Sequence, residues 1–493
     1  MYNLLIGGAA GQGIDTTAAV LEKTLKRSGY NVFTIRDFMS RVRGGHNFSI
    51  IRFGTEVVRS HSDRLDGIIA LNEETVALHR DKLTAEGFIL CDTKLTVDDP
   101  RAIALPMAEM AKAIGNPHVT GSIAVGAILK LFGTGLDLTE PVLRESVKEQ
   151  YLAINVQAIR EGYAAVEQRF PHLEGSFADW MILSGNKALA LGALAAGLKF
   201  YSAYPMSPST SIMEYLAEKG AQAEIVVEQA EDEIAAMNMA IGASFAGARA
   251  MTGTSGGGFS LMVEALGLAG MMEIPVVVAD VQRPGPVTGL PTRTEQSDLK
   301  FVISASQGEF PRLVIALRHH ADAFTQTARA FNLAEKYQIP VIILSDQYLA
   351  DASATVPPFD WQRIESVRPA DPAEITGEYL RYRFTEDGIS PRLLPGQSEH
   401  LVIVDSDEHD ERGWITESAE MRREMMDKRM KKVEKLKAEL LEPDFLGAEN
   451  FETLLIGWGS TYGPIEEAVK LLNKEGGKAA ALVFGDIFPL PER

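Results

Sequence analysis

Glu228, Glu231, Asp232 and Glu233 crowd four carboxylates into one short stretch. It lies where the strand-like run 224–227 hands over to a helix expected across 230–247. Negative charge at a helix start is stabilised by the helix dipole, so part of the cluster reads as plain capping. Glu233 differs, because it leads into a surface of small and apolar residues that includes Ile234, Ala235, Ala236 and Met237. A carboxyl facing that surface would be stripped of water, and its proton could be shared with a ring nitrogen of a ligand. A second candidate is the loop 283–296, where Pro284, Gly285, Pro286, Gly289 and Pro291 stiffen the chain around Arg283, Thr292 and Arg293. Guanidinium groups on a stiff loop suit two-pronged capture of a carboxylate; surface arginines are the plainer reading. In the segment 204–210, Ser207 stands between Pro205 and Pro208, so its hydroxyl is the one expected to project into a cleft. Ser209 or Thr210 would cap the helix that follows.

Other polar patterns are less specific. The glycine-rich run 7–13 lies between a strand and a helix, where backbone N–H groups can cradle a phosphate; tight strand–helix packing explains the same glycines. Its spacing is not a clean dinucleotide fingerprint. Arg41, Arg43 and His46 form a basic run in an acidic chain, either a surface loop or an anion contact such as a phosphate-bearing cosubstrate. The glycines in 253–258 would let a ligand approach backbone amides. His409, among Asp405, Asp407, Glu408 and Asp410, reads as an acidic loop, and no metal site is assigned.

The elements that must position these residues read as a multidomain α/β chain of mainly parallel sheets flanked by helices. Residues 1–175 alternate strand candidates at 3–7, 31–35, 67–71 and 87–92 with helices, the last two at 120–133 and 139–167. A linker follows at 169–177. Residues 178–360 start a second α/β pattern, in which 274–279 and 341–345 are apolar runs of buried-strand type. Residues 361–448 read as a connector with a charged helix at 416–441, whose Met421, Met425, Leu436 and Leu440 make a narrow apolar stripe. Residues 449–493 begin a further βαβ unit, which buries little core alone. Loops at the carboxyl ends of parallel strands are the usual ligand crevice, and the carboxylate, serine and arginine segments all follow strand candidates.

The chain has 493 residues, and 48 basic against 67 acidic side chains leave a net charge of −19. Such a surface repels nucleic acid and anionic lipid at long range. No run approaches the ~20 apolar residues of a membrane span, and the N-terminus lacks a signal-peptide pattern, so a cytoplasmic location is expected. Cys91 is the one cysteine. A disulfide needs two thiols and an iron–sulfur cluster normally about four thiolates, so redox metal chemistry would sit on another chain.

Together, the segments 204–210, 231–236, 252–256 and 283–296 resemble the α subunit of the 2-oxoacid:ferredoxin oxidoreductases. Residues 7–13 and 43–47 are similar to the γ domain, fused here at the N-terminus. Residues 455–461 are similar to the start of the next domain, of transketolase C-terminal type. The 2-oxoglutarate:ferredoxin branch is the most similar, and the resemblance spans nearly the whole chain.

The resemblance implies a thiamine diphosphate enzyme split between subunits. The 178–360 segment would be the pyrimidine-binding domain, with Glu233 hydrogen-bonded to the pyrimidine N1′ and Tyr204 and Pro205 beside the cofactor. Arg283, Thr292 and Ser207 would contact the 2-oxoacid; many members carry Thr where Ser207 stands. Arg293, further along the same loop, is the candidate for a second carboxylate. Arg43 and His46 are candidates for coenzyme A or another anion. A β subunit would hold the diphosphate with Mg2+ and a [4Fe–4S] cluster, in keeping with the lack of a Gly-Asp-Gly diphosphate motif here. Ferredoxin would accept the electrons, coenzyme A the acyl group, and the assembly would be α2β2. The rivals are a pyruvate or broad-range 2-oxoacid:ferredoxin oxidoreductase subunit, a non-catalytic electron-transfer or regulatory subunit, and a nicotinamide-dependent oxidoreductase using residues 7–13. Glu233, Arg283 and Thr292 occurring together favour the thiamine enzyme.

Overall fold

The computed structural model describes residues 1–39 and 45–492. Two compact units emerge, Met1–Ser184 with Asp351–Pro358, and Gly185–Ala350 with Phe359–Arg493.

The first unit is built on eight strands: β1 (Tyr2–Ala9), β2 (Asn31–Asp37), β3 (His46–Gly54), β4 (Leu65–Ala70), β5 (Leu83–Asp92), β6 (Ala102–Leu105), β7 (Met181–Ser184) and β14 (Ser353–Val356). Their order is β6-β5-β4-β1-β3-β2-β14-β7. The pairs from β6 to β1 are parallel, as expected of strands joined by helices. From β1 onward the pairing is antiparallel through β3, β2, β14 and β7. β3 went unread in the sequence because His46, Asn47 and Ser49 interrupt its apolar pattern; Phe53 and Ile51 are its buried anchors. The break between units falls after Ser184, beyond the boundary expected near residue 175. β14, distant from them in sequence, bridges β2 and β7, a pairing that no local pattern reveals. The helix expected at 139–167 is interrupted where Val147 turns extended (φ −129°, ψ 154°), giving helices Thr139–Ser146 and Leu152–Ala164. Helices Thr120–Leu131 and Leu152–Ala164 cross closely, because a side chain on Gly126 would strike the Ile159 carbonyl and one on Gly162 the Ile123 carbonyl.

The second unit carries β8 (Phe200–Ala203), β9 (Val226–Gln229), β10 (Ala250–Thr254), β11 (Val276–Gln282), β12 (Leu313–Ala316), β13 (Pro340–Asp346) and, much later, β18 (Asp486–Phe488). The order is β18-β12-β13-β11-β10-β8-β9, all parallel except the edge strand β18. Every residue of β11 and β13 is buried, as the apolar runs predict for a sheet covered on both faces. A small sheet in the order β15-β17-β16 joins β15 (Asp444–Gly447), β16 (Thr453–Trp458) and β17 (Ala479–Phe484). Helix Tyr462–Lys474 links its parallel pair, the βαβ unit read from the sequence.

The connector is mostly irregular, and its helix, Ala419–Lys437, docks by more than an apolar edge. Met425 and Leu436 are buried, but so are Lys428, Arg429 and Lys432. Lys428 Nζ lies 2.7 Å from Glu273 Oε1, Lys432 pairs with the other Glu273 oxygen, and Arg429 lies 2.8 Å from Glu408. Buried charge is tolerable only when paired, so these contacts fix the helix's rotation.

Candidate active site

In the second unit the chain places β9 on one side of β8 and β10 on the other. Loops leaving neighbouring strands diverge at such a switch point, and a crevice opens outside the strands' carboxyl ends. The segments singled out in the sequence leave these ends: 204–209 after β8, 230–232 after β9, 255 after β10 and 283–298 after β11.

The carboxylate cluster divides its labour. Glu228 and Glu231 are exposed. Asp232 caps the helix Glu233–Phe245, its side chain accepting the Ala235 N–H at 2.6 Å. Glu233, the first helical residue, is 4% exposed, and its Oε1 is buried with no hydrogen-bond partner. An orphaned carboxyl oxygen in a dry wall costs stability unless something else supplies a donor. The wall is shaped around it: a Cβ on Gly258 would lie 2.5 Å from that oxygen and closer still to Thr254 Oγ1. The Thr252 and Ser255 hydroxyls and the Tyr201 phenol are buried without partners nearby in the sheet and its loops. Burial also pushes the Tyr201 hydroxyl's pKa up. Gly256, Gly257 and Gly258, expected to be a loop, form the first turn of helix Gly256–Met271.

Arg283 follows β11 directly and is 9% exposed. Its Nη1 donates to the Ser207 carbonyl at 2.6 Å, tying the β11 loop to the Pro-Met-Ser-Pro turn. Burial draws the guanidinium's pKa down, and the negative Asp298 opposes that. Met206 of the same turn meets Thr254, whose Oγ1 lies 3.8 Å from the Met206 sulfur. Ser207, Arg283, Thr254, Gly258 and Glu233 are thus linked by contact. The Ser207 side chain is exposed, Pro205 half-buried and Tyr204 41% exposed. Thr292 and Arg293 lie past the loop's exposed tip, half-buried, with Arg293 Nη1 donating to the Thr292 carbonyl at 3.3 Å. The tip exposes Val287 and Leu290, and Val287 adopts φ 58°, an unfavourable conformation for a β-branched residue. Gln296 anchors the far end, donating to Asp346 Oδ2 at 3.3 Å and to the Trp458 carbonyl at 3.1 Å.

Three acids missed in the sequence stand here. Asp280 lies inside the apolar strand β11, Asp346 ends β13, and Asp298 closes the loop; all are drawn up by burial. A lone aspartate within Val276-Val277-Val278-Ala279-Asp280-Val281 was the available signal.

The first unit holds a cavity of about 610 Å³ lined by Gly11, Gly13, Thr16, Asp92, Lys94 and His118. Gly11 and Gly13 have φ 91° and 78°, so the turn needs glycine, and helix Ile14–Arg27 starts at Gly13 without a side-chain cap. The start of this helix lines the cavity, a setting that favours an anion. His46 turns inward: its Nε2 lies 2.8 Å from Nε2 of His79, and burial lowers both rings' pKa, that of His79 to about 4. Arg43 lies outside the described residues. Among the described residues no group of three or more His, Cys, Asp or Glu could hold a metal ion, and no helix is long and apolar enough to cross a membrane.

A family model described as pyruvate flavodoxin/ferredoxin oxidoreductase, thiamine diphosphate-binding, matches residues 191–428, and a pyruvate ferredoxin/flavodoxin oxidoreductase model matches residues 3–165. The 2-oxoacid:ferredoxin oxidoreductase subunit alpha of Sulfolobus sp. is 34% identical, over 95% of this chain and 84% of its own length. The chain belongs to the 2-oxoacid:ferredoxin oxidoreductase α subunits. The 2-oxoglutarate synthase subunit KorA of Methanothermobacter marburgensis is 34% identical over 63% of this chain and 82% of its own. A solved 2-oxoglutarate:ferredoxin oxidoreductase from Magnetococcus marinus, with 2-oxoglutarate, coenzyme A and succinyl-CoA bound, superposes with a TM-score of 0.93 at 33% identity, covering 99% of this chain and 88% of that one. As a member of this family the chain is a subunit of an oxidoreductase enzyme, with a thiamine diphosphate-binding domain over 191–428 and mixed α/β architecture throughout.

Proposed function

We propose that this subunit serves the oxidative decarboxylation of 2-oxoglutarate to succinyl-CoA, with ferredoxin as electron acceptor, and that the same assembly runs the reverse carboxylation when the acceptor is sufficiently reducing. The observation that carries the reading is the buried, unpartnered Oε1 of Glu233. The residues around it fit the pyrimidine end of thiamine diphosphate: an orphaned acceptor at a helix start, and Gly258 leaving it uncovered. When bound, thiamine diphosphate supplies an electron sink for cleavage of the carbon–carbon bond next to the keto group. Glu233 would hold and exchange a proton with the pyrimidine N1′, and Tyr204 and Pro205 would help to hold the cofactor. Arg283, Thr292 and Ser207 hold the substrate's reacting carboxylate, and Arg283 is set for this by its bond to the Ser207 carbonyl. Arg293 receives the distal carboxylate that distinguishes 2-oxoglutarate from pyruvate.

The remaining parts sit on other chains. A β subunit brings Mg2+ with the diphosphate site and a [4Fe–4S] cluster, in an α2β2 assembly of the cytoplasm. The first unit's cavity, with its glycine turn at an uncapped helix start, suits the phosphates of coenzyme A. The test is Glu233→Gln in the complex purified with its partner. An amide cannot exchange the proton, and general acid–base groups contribute about 10²–10⁴-fold. Loss of that order in 2-oxoglutarate-dependent reduction of a viologen dye, with assembly intact, supports the reading; full activity removes Glu233 from it.

A further inference from the structure

We propose that Gln296 and Ser460 are positioning residues for substrate selectivity: joined through the carboxylate of Asp346, they hold in place the half of the 283–298 loop that carries Thr292 and Arg293. This rests on Arg293 receiving the distal carboxylate, as argued above.

The loop is tied at its two ends to different parts of the second unit. At the first end Arg283 donates to the Ser207 carbonyl, in the turn after β8. The tip closes on itself, with the Leu290 N–H on the Pro284 carbonyl at 3.0 Å and the Arg293 N–H on the Leu290 carbonyl at 3.1 Å. Beyond Arg293 the chain is stitched to the carboxyl end of β13. The Tyr348 N–H donates to Thr294 Oγ1 at 3.3 Å, and the Gln296 amide donates to Asp346 Oδ2 at 3.3 Å. Asp346 is buried and already engaged. Its Oδ1 accepts the Leu349 N–H at 3.0 Å, and its Oδ2 also accepts the Ser460 hydroxyl. Ser460 lies in the single turn Gly459–Thr461 that follows β16 of the small sheet. The same turn supplies the second acceptor for Gln296, because the Trp458 carbonyl takes its amide at 3.1 Å and the Thr461 hydroxyl at 2.7 Å. Gly459 leaves room for this seat: a Cβ there would lie 3.0 Å from Gln296 Nε2. Both hydrogens of one amide are thus held, one by β13 and one by the small sheet.

A substrate with two carboxylates draws on both ends of the loop, Arg283 for the reacting end and Arg293 for the distal one. Without the latch, residues 292–296 would sample other conformations, and Arg293 would stand in place for only part of the time. The apparent affinity for a ligand that needs Arg293 falls by that fraction. Pyruvate has no distal carboxylate and would not sense the change. Once 2-oxoglutarate is bound it holds Arg293 itself, so turnover, which depends on Glu233 and the cofactor, is unaffected.

The experiment uses the complex purified with its partner subunit, and reads kcat and KM for 2-oxoglutarate and for pyruvate by viologen reduction, with thermal melts alongside. Gln296→Leu keeps the bulk and removes both donors. It should raise KM for 2-oxoglutarate by about 2–12-fold, the worth of a neutral hydrogen bond, and leave kcat and both pyruvate constants unchanged. Ser460→Ala, on the other side of Asp346, should act in the same direction, and the double variant should lose less than the product of the two, since both work through one carboxylate. Asp444→Asn is the control. It removes the 2.9 Å ion pair with Arg318 that joins β15 of the small sheet to the residues after β12, and should lower the melting temperature without moving either KM. An unchanged KM for 2-oxoglutarate in both Gln296→Leu and Ser460→Ala overturns the proposal. So does an equal rise for the two acids, or a rise in Asp444→Asn as large as theirs, which would mean general loosening. Arg293→Met separates the two readings. An equal loss for both acids there sinks Arg293 as the distal anchor and takes this proposal with it. A selective loss there, with none in Gln296→Leu and Ser460→Ala, sinks the latch alone.

Discussion

Gly258→Ala would place a methyl group 2.5 Å from Glu233 Oε1, inside the 3.0 Å that real Cβ atoms keep, and closer still to Thr254 Oγ1. The Thr254 hydroxyl must turn aside within the buried strand β10, and Glu233, whose Oε1 ends a flexible side chain, must swing away as well. Overpacking costs roughly 1–3 kcal/mol, while alanine gains about 1 kcal/mol over glycine in a helix, leaving a net loss of about 0–2 kcal/mol. Stability should therefore change little. Turnover should fall steeply, because a displaced Glu233 forfeits much of a ~10²–10⁴-fold acid–base contribution. Gly242→Ala is the control on Glu233's own helix: a Cβ there meets nothing within 4 Å. It should gain about 0.5–1 kcal/mol and leave turnover unchanged. Thermal melts and viologen reduction by the assembled complex read both quantities. Wild-type turnover in Gly258→Ala would refute the claim that this glycine keeps space for a working Glu233.

Arg283→Met should raise KM for the 2-oxoacid about 10–150-fold, the worth of a lost charge-assisted bond of roughly 1.5–3 kcal/mol, as measured by initial rates. Arg293→Met should penalise 2-oxoglutarate more than pyruvate in kcat/KM; an equal loss would remove it as the selectivity residue. The isolated chain should reduce no viologen dye with any 2-oxoacid, and addition of the partner subunit should restore the reaction. Glu273→Gln should destabilise the second unit by about 3–5 kcal/mol in urea melts, since Lys428 and Lys432 would remain buried without an anion. Burial raises the Glu273 carboxyl's pKa, but Lys428, Lys432 and Arg381 outweigh it and hold it below the ordinary range. Its contribution is therefore present above the unfolded value of 4.5 and is lost as pH falls through the lower folded value, so the variant should show a shallower acid loss of stability.

The local patterns of the sequence carried far. The buried strands β11 and β13 were legible because a sheet covered on both faces demands unbroken apolar runs. The helix after the acidic cluster was legible too, expected from residue 230 and found to start at Glu233, where Asp232 caps it. Composition excluded an internal disulfide, since Cys91 has no second thiol to meet. Tertiary structure decided how deeply the carboxylates differ: the apolar run after Glu233 marked it out in sequence, but packing against Gly258 is what buries its oxygen while Glu228 and Glu231 stay solvated. It also decided the bond from Arg283 to Ser207, across 76 residues, and the return of β14 to the first sheet, because contacts between distant segments leave no periodic trace. Asp280 shows the boundary most sharply. Its presence in an apolar strand was visible, but its solvation depends on which groups the fold brings opposite it, and these are Asp298, Thr254 and Leu344, drawn from three other segments of the chain.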